Sequence, residues 1–285
     1  MIGTFLRLLW RLFIGLLTLV LAHFTLFLFF PYLRNRFPLF ITLIILYILI
    51  AYFGIPLLVR LWRFVIRPNH LPQYAVTGDG WSSDPVNIAI VCRNEAELRK
   101  AMEKAGWQIA DKATLKNSLR EAWAILFKRS YPTAPFSKLY LFGRKQDIGF
   151  QIQTGSPPSP RHRHHIRLWQ LTGEPEKPHH HTNFWQDILD LFFTRKRQIW
   201  IGTATHDVGP FALRIQNLQI THKIDAETNK ERDFVIASLE NVKLVKRCET
   251  IAAGDPVIFR GQTFGLSIIT DGTLKVVELK HSKVN

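Results

Sequence analysis

Four separated stretches of this chain alternate apolar and polar residues with a period of two, and each places titratable or hydrogen-bonding groups on its apolar side. In an extended strand residues i and i+2 share a face, so the stretches can be sorted. In LYLFGRKQDIGFQ, Tyr140, Phe142, Ile148 and Phe150 fall on one face with Arg144 and Gln146 among them. In HHIRLW, Ile166 and Leu168 share a face with His164, and in WIGTATHD, Ile199 and Ile201 lead on to Thr203, Thr205 and Asp207. In LQITHKID, Ile220 and Ile224 flank His222. Burying such groups is costly unless they find partners. The four strands therefore either share one polar network or line a pocket open to a ligand.

The chemistry on offer is an arginine, two histidines and an aspartate, with Asp225, Glu231 and Asp233 where a strand gives way to a helix. His164 and His222 with Asp207 and Asp225 suit a divalent metal, whose ordinary ligands are imidazole and carboxylate. The same residues also suit phosphate chemistry, with Arg144 and Arg167 holding the anion and a histidine moving a proton. These spacings match no established metal or nucleophile motif, so both readings stay open. A divalent metal is the cofactor these residue types suit. Two further histidine clusters, His162 with His164 and His165, and His179 to His181, need a plainer account. The second lies in a polar loop and reads as solvated surface.

The elements that must position these residues form an α+β pattern. Residues 138–153, 163–171, 198–207 and 218–225 read as strands, as do 87–91, 242–248 and 273–279. Asn94 is a good N-cap for a helix over 95–105, closed by Gly106. A second helix, about 114–128, puts Leu115, Leu119, Ala122 and Leu126 on one stripe, and a third spans about 229–241. One mixed, mainly antiparallel sheet with about three helices is expected over residues 86–285. Residues 184–193 (FWQDILDLFF) form an apolar stretch followed by Arg195, Lys196 and Arg197; it reads as core packing or as a helix lying on a membrane surface. Cys92 and Cys248 lie far apart and read as buried thiols rather than a disulfide or metal pair.

Taken together, YPTAPFSKLYLFGRKQDIGFQ, RHHIRLW, GTATHDVG and THKIDAETNKERDF resemble the LssY-like C-terminal domain of bacterial membrane proteins, over roughly residues 80–245. That family's domain occurs behind membrane helices or beside phosphatidic-acid-phosphatase-type or DedA-type membrane domains. The resemblance thus implies work at a membrane, on lipid or polyprenyl phosphates. Its polar positions fall on Arg144, Gln146, Asp147, His164, His165, Arg167, Asp207, His222, Asp225, Glu231, Arg232 and Asp233. Lys223 stands where a second histidine is expected, Thr228-Asn229 replaces a more acidic stretch, and residues 172–197 look like an insertion. Such a loss would weaken a metal centre more than a phosphate site.

Residues 1–68 contain seven Arg, no Lys and no acidic residue. Leu12 to Tyr32 and Pro38 to Val59 each have about the 20 apolar residues that cross a bilayer core, and the link of Leu33 to Phe37 is too short to cross again. Residues 1–68 are therefore read as a two-helix transmembrane anchor and 69–85 as a polar linker. Arg7, Arg11, Arg60, Arg63 and Arg67 on one side against Arg34 and Arg36 on the other favour cytoplasmic termini. This places the protein in the bacterial inner membrane, multi-pass, with its domain in the cytoplasm. The other 217 residues hold 30 basic and 22 acidic groups. Their excess of positive charge points to anionic lipid headgroups. Nucleic acid is disfavoured, because no helix-turn-helix, zinc-finger or RNA-binding signature accompanies the charge.

The expected function is to bind and hydrolyse a phosphorylated, membrane-associated substrate. Arg144, Gln146, Arg167, His165, Glu231 and Asp233 would contact it, and His164, His222, Asp207 and Asp225 would do the chemistry or hold the metal. The alternative is a non-catalytic lipid- or protein-interaction module of an envelope transport assembly, with other membrane proteins as partners.

Overall fold

The computed structural model of the protein describes residues 2–58, 73–78, 80–171, 197–214, 218, 220–253, 256–260 and 267–280. The histidine cluster at 179–181, the apolar stretch 184–193, Arg195, Lys196 and the residues Arg60, Arg63 and Arg67 lie outside them. The chain divides into two compact units. One is built on two apolar helices, α1 (Leu12–Arg34) and α2 (Leu39–Leu58), with mean hydropathies of 2.4 and 2.5. Both are long and apolar enough to cross a membrane. Each relaxes into a π-helical stretch, Phe24–Phe29 in the first and Ile50–Gly54 in the second.

The other unit holds the strands, in chain order β1 (Tyr74–Val76), β2 (Ser82–Pro85), β3 (Ile88–Cys92), β4 (Gln108–Ile109), β5 (Tyr140–Leu141), β6 (Arg144–Lys145), β7 (Ile148–Gln153) and β8 (Arg163–Leu171). They continue as β9 (Gln198–Leu213), β10 (Ile220–Ile224), β11 (Val245–Ala252), β12 (Val257–Arg260), β13 (Ser267–Thr270) and β14 (Thr273–Leu279). Its helices are α3 (Glu95–Lys104), α4 (Leu115–Leu126) and α5 (Thr228–Asn241). The main sheet runs β11-β14-β3-β9-β8-β7-β4, with β10 also on β9. Among the described strands of this sheet only β14 and β3 pair in parallel, so the sheet is mixed and mainly antiparallel.

One face of this sheet is covered by helices. Ile90, Phe150, Ile166, Leu168 and Trp200 pack against Leu98 and Met102 of α3 and Val235 and Leu239 of α5. Asn94 caps α3 as its sequence position requires, accepting a hydrogen bond from the Glu97 amide at 2.9 Å. The opposite face packs Trp169, Ile199 and Ile201 against Ala75, Leu139 and Leu141 of a small sheet, β2-β1-β5-β6.

Three local expectations change. The stretch read as one strand over 138–153 is broken into β5, β6 and β7. Phe142 and Gly143 both take positive φ, 55° and 76°, and Leu141 pairs with Arg144 across them. This is the two-residue hairpin geometry that matches strand twist, and a phenylalanine there gives no warning of it. Residues 69–85, read as a linker, contribute β1 and β2. Cys92 is buried as expected, but Cys248 is exposed on β11.

A close approach fixes how the second face is closed. Gly149 of β7 lies beneath the Phe136 ring, and a Cβ there would come within 2.2 Å of that ring. Phe136 is buried, so it has no free direction in which to give way. Gly149→Ala is expected to destabilise the domain by about 1–3 kcal/mol through overpacking. A thermal melt of the purified protein beside Gly106→Ala, where an added Cβ meets nothing within 4 Å and the cost is backbone strain at a φ of 88°, checks this.

Candidate functional site

The β8–β9 ladder is unbroken and sets the chemistry. Arg163 pairs with Asp207, His164 with His206, His165 with Thr205 and Arg167 with Thr203. Because side chains alternate across a strand, odd-numbered members of this run face the small sheet and even-numbered ones face the helices. The polar residues of the sheet are thereby divided between two faces.

On the face away from α3 and α5 lies a buried layer of charge. Arg163 Nε donates to Asp207 Oδ2 at 2.8 Å, and its NH1 donates to the Pro135 carbonyl at 3.0 Å and Gln151 Oε1 at 3.2 Å. The same NH1 lies 3.1 Å from Glu121 Oε1 of α4. His165 Nε2 meets the Thr205 hydroxyl at 2.7 Å, and Thr205 reaches Asp84 Oδ2 at 3.3 Å. Arg167 NH1 donates to that same Asp84 oxygen at 2.9 Å. The Phe136 ring stacks on His165 and lies under the Arg167 guanidinium, 4.7 Å from its centroid.

Electrostatics in this layer follow from burial and pairing. Burial lowers the His165 imidazole well below its ordinary range, against the pull of Asp207 and with the push of Arg167 and Arg163. Burial works against the Asp207 charge too, but His165, Arg163 and His222 around it hold its carboxyl well below the usual carboxylate range. Burial pushes Glu121 up, with Arg163 opposing and Asp207 adding to the rise. His222, on β10, sits with its Nε2 3.8 Å from Glu121 Oε1 and is lowered by burial. Thr205, His165 and Asp207 stand in the order of a nucleophile–base–acid relay, with His165 Nδ1 3.8 Å from Asp207. All three are at most 2 % exposed, which leaves no approach for a substrate.

On the helix face, at the edge of the core, His164 and His206 stack with ring centroids 4.2 Å apart, and Phe234 of α5 stacks on His164 at 4.0 Å. His164 Nδ1 meets Glu231 Oε2 of α5 at 2.7 Å. One ligand atom from each of His164, His206 and Glu231 lies within 4.8 Å of the others. Two buried atoms of this group, His206 Nε2 and Glu231 Oε1, have no hydrogen-bond partner. Burial, with the charges of Asp207 and Asp225 nearby, pushes the Glu231 carboxyl up to about 9. Burial lowers both His164 and His206, and each stays neutral near pH 7. Unlike the charged layer, this cluster is partly open, since His164 and His206 are half-buried and Phe234 is exposed.

The residues singled out in the sequence thus scatter. His164 and Glu231 come together, with Asp225 beside them: its amide donates to the His206 carbonyl at 2.8 Å, and its charge acts on Glu231 and His206. Asp207 and His222 lie on the opposite face, so His164, His222, Asp207 and Asp225 do not form one metal set. Arg167 is paired with Asp84, and Arg144 is paired with Asp147 at 2.5 Å and donates to the Gln170 carbonyl. Arg144 therefore meets β8 six residues from His164, about 20 Å along the strand, and is not part of either cluster. Gln146 accepts from the Leu139 amide in the same turn. Asp233 pairs with Arg232 and Lys275.

Arg163, His206, Glu121 and Asp84 are the participants that sequence reasoning missed. Arg163-His165-Arg167 carries a period-two signal of its own. His206 is invisible until β9 is registered on β8, because its sequence neighbours Thr205 and Asp207 belong to the other face. A family model described as the LssY C-terminus matches residues 68–274. No curated protein and no solved structure matches the chain.

Two outcomes check this geometry. Asp207→Ala leaves Arg163 buried with Glu121, whose charge burial disfavours, as its remaining acidic partner, and is expected to cost about 3–5 kcal/mol. Asp233→Ala removes a half-exposed partner and stays within about 1 kcal/mol. The pH profile follows from the signs. His164, His165, His206 and His222 are lowered in the fold, so the unfolded chain takes up more protons below about pH 6.5 and stability falls on acidification. Glu231 is raised, so the folded state holds a proton that the unfolded chain releases, and its contribution declines as pH rises from about 4.5 to about 9. Melting temperatures should peak near neutrality, with His165→Gln flattening the acid limb and Glu231→Gln the alkaline one.

Proposed function

We propose that this protein, which belongs to the LssY C-terminus family, is a membrane-anchored domain that binds a divalent metal through His164, His206 and Glu231 and uses it on a phosphorylated, membrane-associated substrate. The observation carrying this reading is the convergence of those three side chains with two buried, unpartnered ligand atoms. Buried polar atoms are almost always satisfied, and a cation supplies what both lack. Two imidazoles and a carboxylate are a common three-ligand set for a catalytic zinc, which leaves a coordination position for water or substrate. His164, His206 and Glu231 would hold the ion, each through one ligand atom. Metal binding would displace the proton held between His164 and Glu231.

Support for the substrate class comes from charge and location. The metal would offset phosphate charge and polarise its oxygens, a task the paired Arg144 and Arg167 are poorly placed to share. In this reading Asp225, whose charge acts on Glu231 and His206, would accept a proton from attacking water. The two apolar helices and the basic excess of residues 69–285 favour a substrate held at an anionic bilayer, in this reading the inner membrane with the domain in the cytoplasm. A second reading, a non-catalytic interaction module, is favoured by one observation: the larger charged layer is closed and internally paired.

Elemental analysis of the full-length protein decides between them. One divalent ion per chain is expected, lost in His206→Ala and Glu231→Gln with the circular dichroism spectrum retained. Phosphomonoester hydrolysis in a screen of lipid and polyprenyl phosphates should fall with the metal, by at least about a hundredfold. A metal-free wild type whose stability is unmoved by zinc, manganese or magnesium would favour the interaction module.

A further inference from the structure

Helix α4 is built inside out. Its stripe of apolar residues, which periodicity alone would assign to the core, faces solvent: Leu115 is 78 % exposed, Leu119 63 %, Trp123 54 % and Leu126 60 %. At 100° per residue these four and Ala122 span about 100° of arc, with Phe127 at its border. The residues that do pack inward lie on the other side, where Ala124 and Ile125 are buried and Glu121 reaches the charged layer. The helix is well anchored in that orientation. Thr114 caps it, Arg161 donates to the Ile125 carbonyl at 2.6 Å, and Ala124 packs with Tyr131 and Ala134.

Charge around the apolar stripe has one sign. Between Lys112 and Arg129 the chain carries Lys112, Lys116, Arg120, Lys128 and Arg129, and the only acid, Glu121, turns inward. An outward apolar face with a tryptophan and a basic border is what a helix lying in the headgroup region of a bilayer presents. A second copy of the chain would bring two such basic borders together, whereas an anionic lipid surface neutralises one. The chain also carries its own two helices able to cross a membrane, so a bilayer is always within its reach. We infer that α4 is a membrane-docking helix, which beds Leu115, Leu119, Trp123 and Leu126 into an anionic lipid surface while its inner side closes the charged layer through Glu121. The inference does not depend on the metal reading of His164, His206 and Glu231.

Spin labels on the full-length protein test this. With Cys248 replaced by Ser and the buried Cys92 kept, single cysteines are introduced as Leu119→Cys, Trp123→Cys and, as an aqueous control, Lys104→Cys on α3. The labelled proteins are placed in vesicles of phosphatidylglycerol mixed with phosphatidylcholine. Collision with oxygen, which partitions into acyl chains, is compared with collision with a water-soluble nickel chelate. Labels at 119 and 123 are expected to favour oxygen several-fold more than the label at 104. That preference should fall in pure phosphatidylcholine and in Lys112→Glu/Lys116→Glu. Three results would overturn the inference: labels at 119 and 123 as open to the nickel chelate as the control; labels shielded from both reagents, which means protein covers the stripe; or line broadening that vanishes on dilution with unlabelled protein, which means a second copy does.

Discussion

Everything around the candidate site depends on the pairing of β8 with β9. Nine consecutive pairs, from Arg163 with Asp207 to Leu171 with Ile199, run without a bulge. Since strand side chains alternate, this register puts Arg163, His165, Arg167, Thr203, Thr205 and Asp207 on one side, and His164 and His206 on the other. A slip of one residue would exchange the two sets, setting Arg163 opposite His206 and breaking the buried ion pair. Arg163 and Asp207 are 1 % and 2 % exposed, and an unpaired charge at that depth is among the costliest defects a fold can carry. The ion pair contributes little net stability beyond an apolar pair of similar shape, but it strongly disfavours the wrong register.

The two faces then acquire different chemistry from similar residues. The charged layer is crowded with mutual partners: Asp84 serves both Arg167 and Thr205, while Arg163 serves Asp207, Gln151 and the Pro135 carbonyl. Phe136 lies over it and Glu121 closes its end. The layer is buried, and its relay-like order of Thr205, His165 and Asp207 is sealed from water, though His165 Nδ1, Thr203 Oγ1 and His222 Nδ1 within it have no hydrogen-bond partner. The helix face has fewer partners and more access. There too the principle that buried polar groups need partners is left unmet, at His206 Nε2 and Glu231 Oε1, but here one ligand atom from each of His164, His206 and Glu231 lies within 4.8 Å of the others.

Helix α4 joins the internal layer to the outside. One side contributes Glu121 to the buried charges and the other displays leucine, tryptophan and phenylalanine. Ordinary core packing explains the first side only. The second is costly in water, where roughly 25 cal/mol is forgone for each Å² of apolar surface left exposed.

Much of the domain was legible in local sequence. The limits of β8 and β14, the Asn94 cap on α3, the helix before Asn241 and the two apolar helices all follow from periodicity, capping chemistry and length. So did the conflict of polar residues on apolar strands. What periodicity determines is which residues share a face; what it cannot carry is which other strand lies alongside, in what register, and what covers each side. Those are set by contacts between residues far apart in the chain, such as Arg163 with Asp207 and His164 with His206. The tertiary structure alone therefore decided that His164 belongs with His206 and Glu231 rather than with Asp207 and His222. It alone turned Arg144 away through the hairpin at Phe142 and Gly143, and it alone faced the apolar stripe of α4 outward. In each case the local pattern was correct, and the free energy of burying a charge or closing a turn chose its partners.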